Sequence, residues 1–186
     1  DYHDDPSVPP VDSLLHWDGE QWQTLGLGFN DVGSVNDIVR FDGDLYVGGY
    51  FETIGGIAAD SLARWDGERW WPVAEFEGRP RQVNVLEVID GQLYIGGEFE
   101  EVDNVTVNNI ARWDGETWFA LDGGVSEDGY GSVSEIQDLL PHEGMLYVGG
   151  DFTQGGEINS DYVIAWDLET EAWVSLDGGV TLDDDL

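Results

Sequence analysis

The chain has no cysteine and no lysine in 186 residues. Without cysteine there is no disulfide framework, no thiolate zinc site and no cysteine nucleophile. Six arginines are the only basic residues against 40 acidic ones, a formal net charge of −34. Such a surface repels phosphate, so nucleic acid is excluded as a partner, and anionic membranes are disfavoured for the same reason. No apolar run approaches the roughly 18 to 20 residues that span a bilayer. The opening DYHDDPSVPP has neither a basic head nor an apolar stretch, and is expected not to act as a signal peptide. His3, His16 and His142 lie far apart and form no metal-spacing motif. No G-x-S-x-G elbow, phosphate loop or HExxH motif is present. Carboxylates are so numerous that some pair reaches glycosidase separation by chance, so pairing alone carries no catalytic argument. Self-repulsion on this scale eases as salt screens it, which fits a salt-rich medium or a surface bathed in divalent cations.

What the chain does have is repetition. DGDLYVGGYF (42–51) returns as DGQLYIGGEF and EGMLYVGGDF, and a second phrase travels with it: LLHWDGEQW, LARWDGERW, IARWDGETW and VIAWDLETEAW. The leading tryptophans Trp17, Trp65, Trp113 and Trp166 stand 48, 48 and 53 residues apart. Leu45, Leu93 and Leu146 keep the same 48 and 53. Two phrases sharing one period mark an internal repeat. Each unit reads as four short strands, SVNDIVRF (34–41), DLYVGGYF (44–51), SLARW (61–65) and RWWPVA (69–74) in the first. They are rich in β-branched and aromatic residues and broken by Asp-Gly, a strong hairpin signal. The fold class expected is all-β, a β-propeller segment of four-stranded antiparallel blades. The divisions expected are a polar, proline-rich lead-in (1–12), a half blade (13–33), and blades over 34–81, 82–132 and 133–186, the last with a C-terminal stub.

These residues resemble the kelch-type repeat: an apolar strand ending in a glycine pair, an aromatic-Asp turn, then a tryptophan. The glycine pairs are Gly48–Gly49, Gly96–Gly97 and Gly149–Gly150. The turns follow Trp65, Trp113 and Trp166, with closing tryptophans Trp70, Trp118 and Trp173; Trp17 and Trp22 form the extra hairpin. Tryptophan stands where kelch repeats usually have tyrosine, and the wording is closer to kelch-like repeats of large extracellular and cell-surface proteins. The resemblance therefore implies an extracellular or cell-surface module. The copper–tyrosine–cysteine centre of kelch-type oxidases is excluded by the missing cysteine.

Three and a half blades fall short of the roughly four to eight of a closed propeller. The chain is expected to be a segment of a larger ring, or to complete its ring with other copies. A meander places the second-to-third connections and the blade links on one face, and these are the long ones: 52–61, 100–109, 153–161 and 121–135. Function on a β scaffold concentrates on such loops. Glu52, Glu98, Glu100, Asp103, Asp151 and Asp161 on this face suit hard-cation coordination, calcium above all, while solvated acidic surface is the plainer reading. Trp65, Trp113 and Trp166 are expected to be substantially buried at equivalent places. Trp71, beside Trp70, must point to the other face of its strand and suits sugar stacking or protein contact. Arg64 and Arg112 precede the repeat tryptophans and are expected in an ion pair or cation–π contact within the blade. Three functions stay open: a non-catalytic module for protein interaction or display, a self-assembling subunit whose half blade is completed by another copy, and a glycan-binding or glycan-active propeller.

Overall fold

A computed structural model describes residues 14–25, 33–78, 80–127 and 134–176; the lead-in (1–12) and most of the C-terminal stub lie outside them. Every regular element among the described residues is a strand. The half blade is a hairpin of β1 (Leu15–Trp17) and β2 (Trp22–Thr24). Blade one contains β3 (Ser34–Phe41), β4 (Asp44–Tyr50), β5 (Thr53–Ile54), β6 (Ile57–Ala58), β7 (Leu62–Trp65) and β8 (Trp70–Pro72), followed by a link strand β9 (Phe76–Glu77). Blade two runs through β10 (Gln82–Ile89), β11 (Gln92–Glu98), β12 (Glu101–Val102), β13 (Val105–Thr106), β14 (Ile110–Trp113) and β15 (Trp118–Ala120), with link strand β16 (Val125–Ser126). Blade three has β17 (Glu135–His142), β18 (Met145–Asp151), β19 (Gln154–Gly155), β20 (Ile158–Asn159), β21 (Val163–Asp167) and β22 (Ala172–Val174).

The main sheets are β3-β4-β7-β8, β10-β11-β14-β15 and β17-β18-β21-β22, all antiparallel meanders. The first hairpin of each turns tightly, with Asp42 and Gly43, Asp90 and Gly91, and Glu143 and Gly144 all at positive φ. This left-handed pair is what a two-residue hairpin needs to match strand twist. The first strands of successive blades lie side by side, β10 against β3 on one flank and β17 on the other. Three cores fill the gaps. Phe51, Ile54 and Trp70 are buried with Leu14 and Leu25 of the half blade packed on them. Phe76, Val83, Leu86 and Phe99 join blades one and two, and Val85, Ile136, Phe152 and Trp173 join blades two and three. Each such side chain contributes about 1.5–3 kcal/mol of burial, so blades hold to one another through their faces as well as through the chain.

The glycine pairs have separate reasons. A Cβ on Gly48 would meet Val83 Cγ1 at 2.6 Å, and one on Gly96 would meet Ile136 Cγ2 at 2.6 Å, so the first glycine receives a side chain of the next blade. The second glycine faces a β-bulge: the register of each first hairpin shifts between Val35 and Asp37, Val83 and Val85, or Ile136 and Asp138. There a Cβ on Gly49, Gly97 or Gly150 would overlap the carbonyl of Ser34, Gln82 or Glu135.

Candidate functional site

The long connections are built, not loose. Each folds into a small hairpin, β5–β6, β12–β13 and β19–β20. In the second and third the incoming blade link adds a strand, giving three-stranded sheets β13-β12-β9 and β20-β19-β16. The link of one blade thus pairs with the connection hairpin of the next, which puts both on one face. Asp103 is consumed in this: its Oδ1 accepts the Glu75 N–H at 2.9 Å, while its own N–H donates to the Glu75 carbonyl. Asp60 ties the other end of the same link, Oδ2 accepting from Arg81 Nη1 at 3.2 Å and the Phe76 N–H at 3.4 Å. Burial pushes the Asp60 carboxyl up, against the pull of Arg81.

The six carboxylates singled out for cations do not converge. Glu52, Glu100, Asp151 and Asp161 are exposed, and Glu98 is half-buried. Burial first, then the charge of Glu135, raises the Glu98 carboxyl. Among the described residues no three acidic or histidine side chains come together as a metal group.

The WDG turns share one geometry. Asp66 Oδ1 accepts the N–H groups of Glu68 and Arg69, both at 2.9 Å, and Asp18, Asp114 and Asp167 do the same with the residues two and three ahead. Hydrogen bonds to the ionised form lower all four carboxyls, Asp18 and Asp66 to about 2; at Asp66 the largest cause is the Trp71 indole, ahead of these N–H groups. Trp71 belongs to this turn. Its Nε1 donates to Asp66 Oδ2 at 2.7 Å, and the Arg69 guanidinium lies 3.9 Å from its ring centroid with Arg64 at 5.7 Å. The ring borders an apolar recess with Trp65, Trp70, Ile57 and Pro72, but Arg69 covers one of its faces.

The tryptophans pair across strands, Trp17 with Trp22, Trp65 with Trp70, Trp113 with Trp118 and Trp166 with Trp173, at centroid distances of 4.8–5.4 Å. Two of the leading members are less deeply buried than the closing ones. Trp166 is buried, but Trp65 and Trp113 are only half-buried, and the closing Trp70, Trp118 and Trp173 are the uniformly buried ones. The closing ring reaches the preceding unit: Trp70 Nε1 donates to the Leu25 carbonyl and Trp173 Nε1 to the Leu121 carbonyl. Trp17 and Trp22 are 49% and 59% exposed.

Arg64 pairs with Asp44 of its own blade at 3.3 Å, as expected. Arg112 lies over the Phe119 ring of its own blade, 4.8 Å from its centroid, as expected, and also pairs across to Glu171 of blade three at 2.7 Å. The residues sequence reasoning missed are those at the bulges. Asn36 Nδ2 donates to the Val83 carbonyl at 3.1 Å and to Asn84 Oδ1 at 3.2 Å, and Asn84 Nδ2 donates to the Ile136 carbonyl at 2.9 Å. Asp37 Oδ2 accepts the Leu86 N–H at 2.8 Å. Asn36, Asn84 and Gln137 keep the repeat period, and that was the available signal.

Four-stranded blades stacked by their first strands, with a second tier of small hairpins on one face, define a β-propeller architecture. A family model described as "Domain of unknown function (DUF5122) beta-propeller" matches residues 90–113, from the first turn of blade two through β11 to Trp113. That stretch holds LYIGG, which returns as LYVGG in blades one and three, and ARW, which returns in blade one and as AW in blade three. No curated protein matches the chain.

Proposed function

We propose that this chain is a non-catalytic propeller module, kelch-like in its repeat, of an extracellular or cell-surface protein, and that it presents its connection-hairpin face to a protein partner. The observation that carries this is the second tier of hairpins. A connection needed only to join strands has no reason to be stapled by an added link strand and by Asp103 and Asp60. Stapling by a link strand fixes two of the three connection hairpins with little ordering left to lose on binding, which favours affinity. The acidic side chains on these tips, Glu52, Glu100 and Asp161 among them, suit a partner with a basic contact surface. The glycan reading is less favoured because Trp71, its best stacking platform, is occupied by Arg69 and by the Asp66 turn.

The test is carboxyl-directed cross-linking on a cell surface that binds the chain, with cross-linked positions mapped by mass spectrometry. Partner cross-links should fall within 52–61, 100–109 and 153–161. Cross-links concentrated instead on the WDG turns would contradict the assignment of the face.

A further inference from the structure

Asn104-Val105-Thr106 is the only Asn-x-Ser/Thr triplet in the chain, and its middle residue is not proline. It begins at the tip of the blade-two connection hairpin. Val102 pairs with Val105 and Glu101 with Thr106, so Asp103 and Asn104 form a two-residue turn, at φ of 48° and 65°. The fold sorts the triplet by side. Val105 packs against the core that joins blades one and two, while Asn104 and Thr106 are exposed. Asp103 is tied to Glu75, but the side-chain amide of Asn104 has no hydrogen-bond partner among the described residues. Thr106 Oγ1 donates along the surface to Glu101 Oε1 at 3.1 Å. Turn geometry does not demand these residues. Blade one makes the same two-residue turn with Gly55 and Gly56 at positive φ. At the place of Thr106, blades one and three carry Ala58 and Asn159.

We propose that Asn104 is an N-glycosylation site, carrying an oligosaccharide on its side-chain nitrogen. The sugar donor is a lipid-linked oligosaccharide phosphate met during export. Asn104 Nδ2 bonds to the anomeric carbon of the sugar, and the bond from that carbon to the phosphate oxygen breaks. The lipid phosphate leaves with the electron pair, and one amide proton is released. The triplet is read while the chain is extended, before β12 and β13 pair, when the Thr106 hydroxyl is not yet held by Glu101 and is open to the transferase. The folded tip then carries the sugar in water. A bulky polar group needs such a surface position, and none of the described side chains has to release the Asn104 amide to make room. The inference rests on the extracellular or cell-surface reading proposed above. A sugar on the middle hairpin leaves Glu52 and Asp161, in the connections of blades one and three, to the protein partner.

The test is peptide mass mapping of the protein isolated from the outer surface of the cells that make it, as parent, Thr106→Ala and Thr106→Ser. The peptide bearing Asn104 should carry the mass of an oligosaccharide in the parent, lose it in Thr106→Ala and keep it in Thr106→Ser. Alanine already stands at this place in blade one, as Ala58, so folding tolerates it. Asn104 itself is unchanged in all three proteins, so only reading of the triplet can move its mass. Surface protein whose Asn104 peptide has the unmodified mass would overturn the inference and leave the extracellular reading standing. A sugar that persists on Asn104 in Thr106→Ala would overturn it too. Protein found solely inside the cell would overturn the extracellular reading, and this inference with it.

Discussion

The indole N–H of Trp173 donates at 2.9 Å to the carbonyl of Leu121, 52 residues earlier and one blade back. Trp118 is just as buried in the preceding interface, yet its Nε1 has no partner. Both rings fill the same kind of gap, so truncating either to phenylalanine removes similar volume. Only Trp173→Phe also breaks a hydrogen bond, although the Leu121 carbonyl keeps the Gly124 N–H, while Trp118→Phe removes an indole N–H that is buried without a partner. We expect Trp173→Phe to destabilise by about 1–2 kcal/mol more than Trp118→Phe. Urea unfolding of the two variants measures the difference; equal losses would remove the clamp from the account.

Much of this was legible from the repeat. The first-strand span 34–41, the Asp-Gly turns and the four-stranded blades follow from period and turn chemistry. The connection hairpins were not, because two residues such as Thr53–Ile54 are too short to show any period. Nor were the bridges between blades. A sequence shows which residues are equivalent, as Arg64 and Arg112 are, but not that one pairs with Asp44 inside its blade while the other reaches Glu171 in the next. That the closing Trp70 and Trp118 are buried more deeply than Trp65 and Trp113 was not legible for a related reason: recurrence marks a position as structural without saying which of two stacked rings faces inward.

Acid should weaken the WDG turn. Asp66 is held at about 2 against an ordinary 3.8, through the Trp71 indole first and then the Arg69 and Glu68 N–H groups. Because its folded pKa is depressed, its contribution to stability is present above the ordinary value and is lost as pH falls through about 2. Asp66→Asn keeps an acceptor oxygen but not the charge. The gap in melting temperature between parent and variant should therefore be constant above about pH 5 and close between about pH 4 and 2. Comparing the two proteins cancels the other carboxylates, including Asp60, Glu87 and Glu98, whose raised values work in the opposite direction. A gap unchanged down to pH 2 would show that the charge on Asp66 is idle.

Salt should stabilise the chain without needing calcium. With 40 acids against six arginines, repulsion weakens as the Debye length falls from about 10 Å at 0.1 M to about 3 Å at 1 M. The melting temperature should rise with NaCl. Since Glu52, Glu98, Glu100, Asp103, Asp151 and Asp161 do not gather, CaCl2 at matched ionic strength should give the same curve after chelator treatment. A further rise in calcium alone would show a specific site.

The most direct measurement of blade stacking is one substitution at two equivalent positions of the repeat. Gly96 and Gly149 are both the first glycine of the LY(V/I)GG phrase, but a Cβ on Gly96 would meet Ile136 at 2.6 Å, whereas one on Gly149 meets nothing closer than the Tyr162 carbonyl at 3.9 Å. Overpacking costs about 1–3 kcal/mol, and Gly→Ala in open strand costs nothing or stabilises slightly. Equilibrium unfolding of Gly96→Ala should show a loss of that size, with Gly149→Ala at or slightly above the parent. Equal losses at both positions would contradict the stacking of these blades through their first glycines.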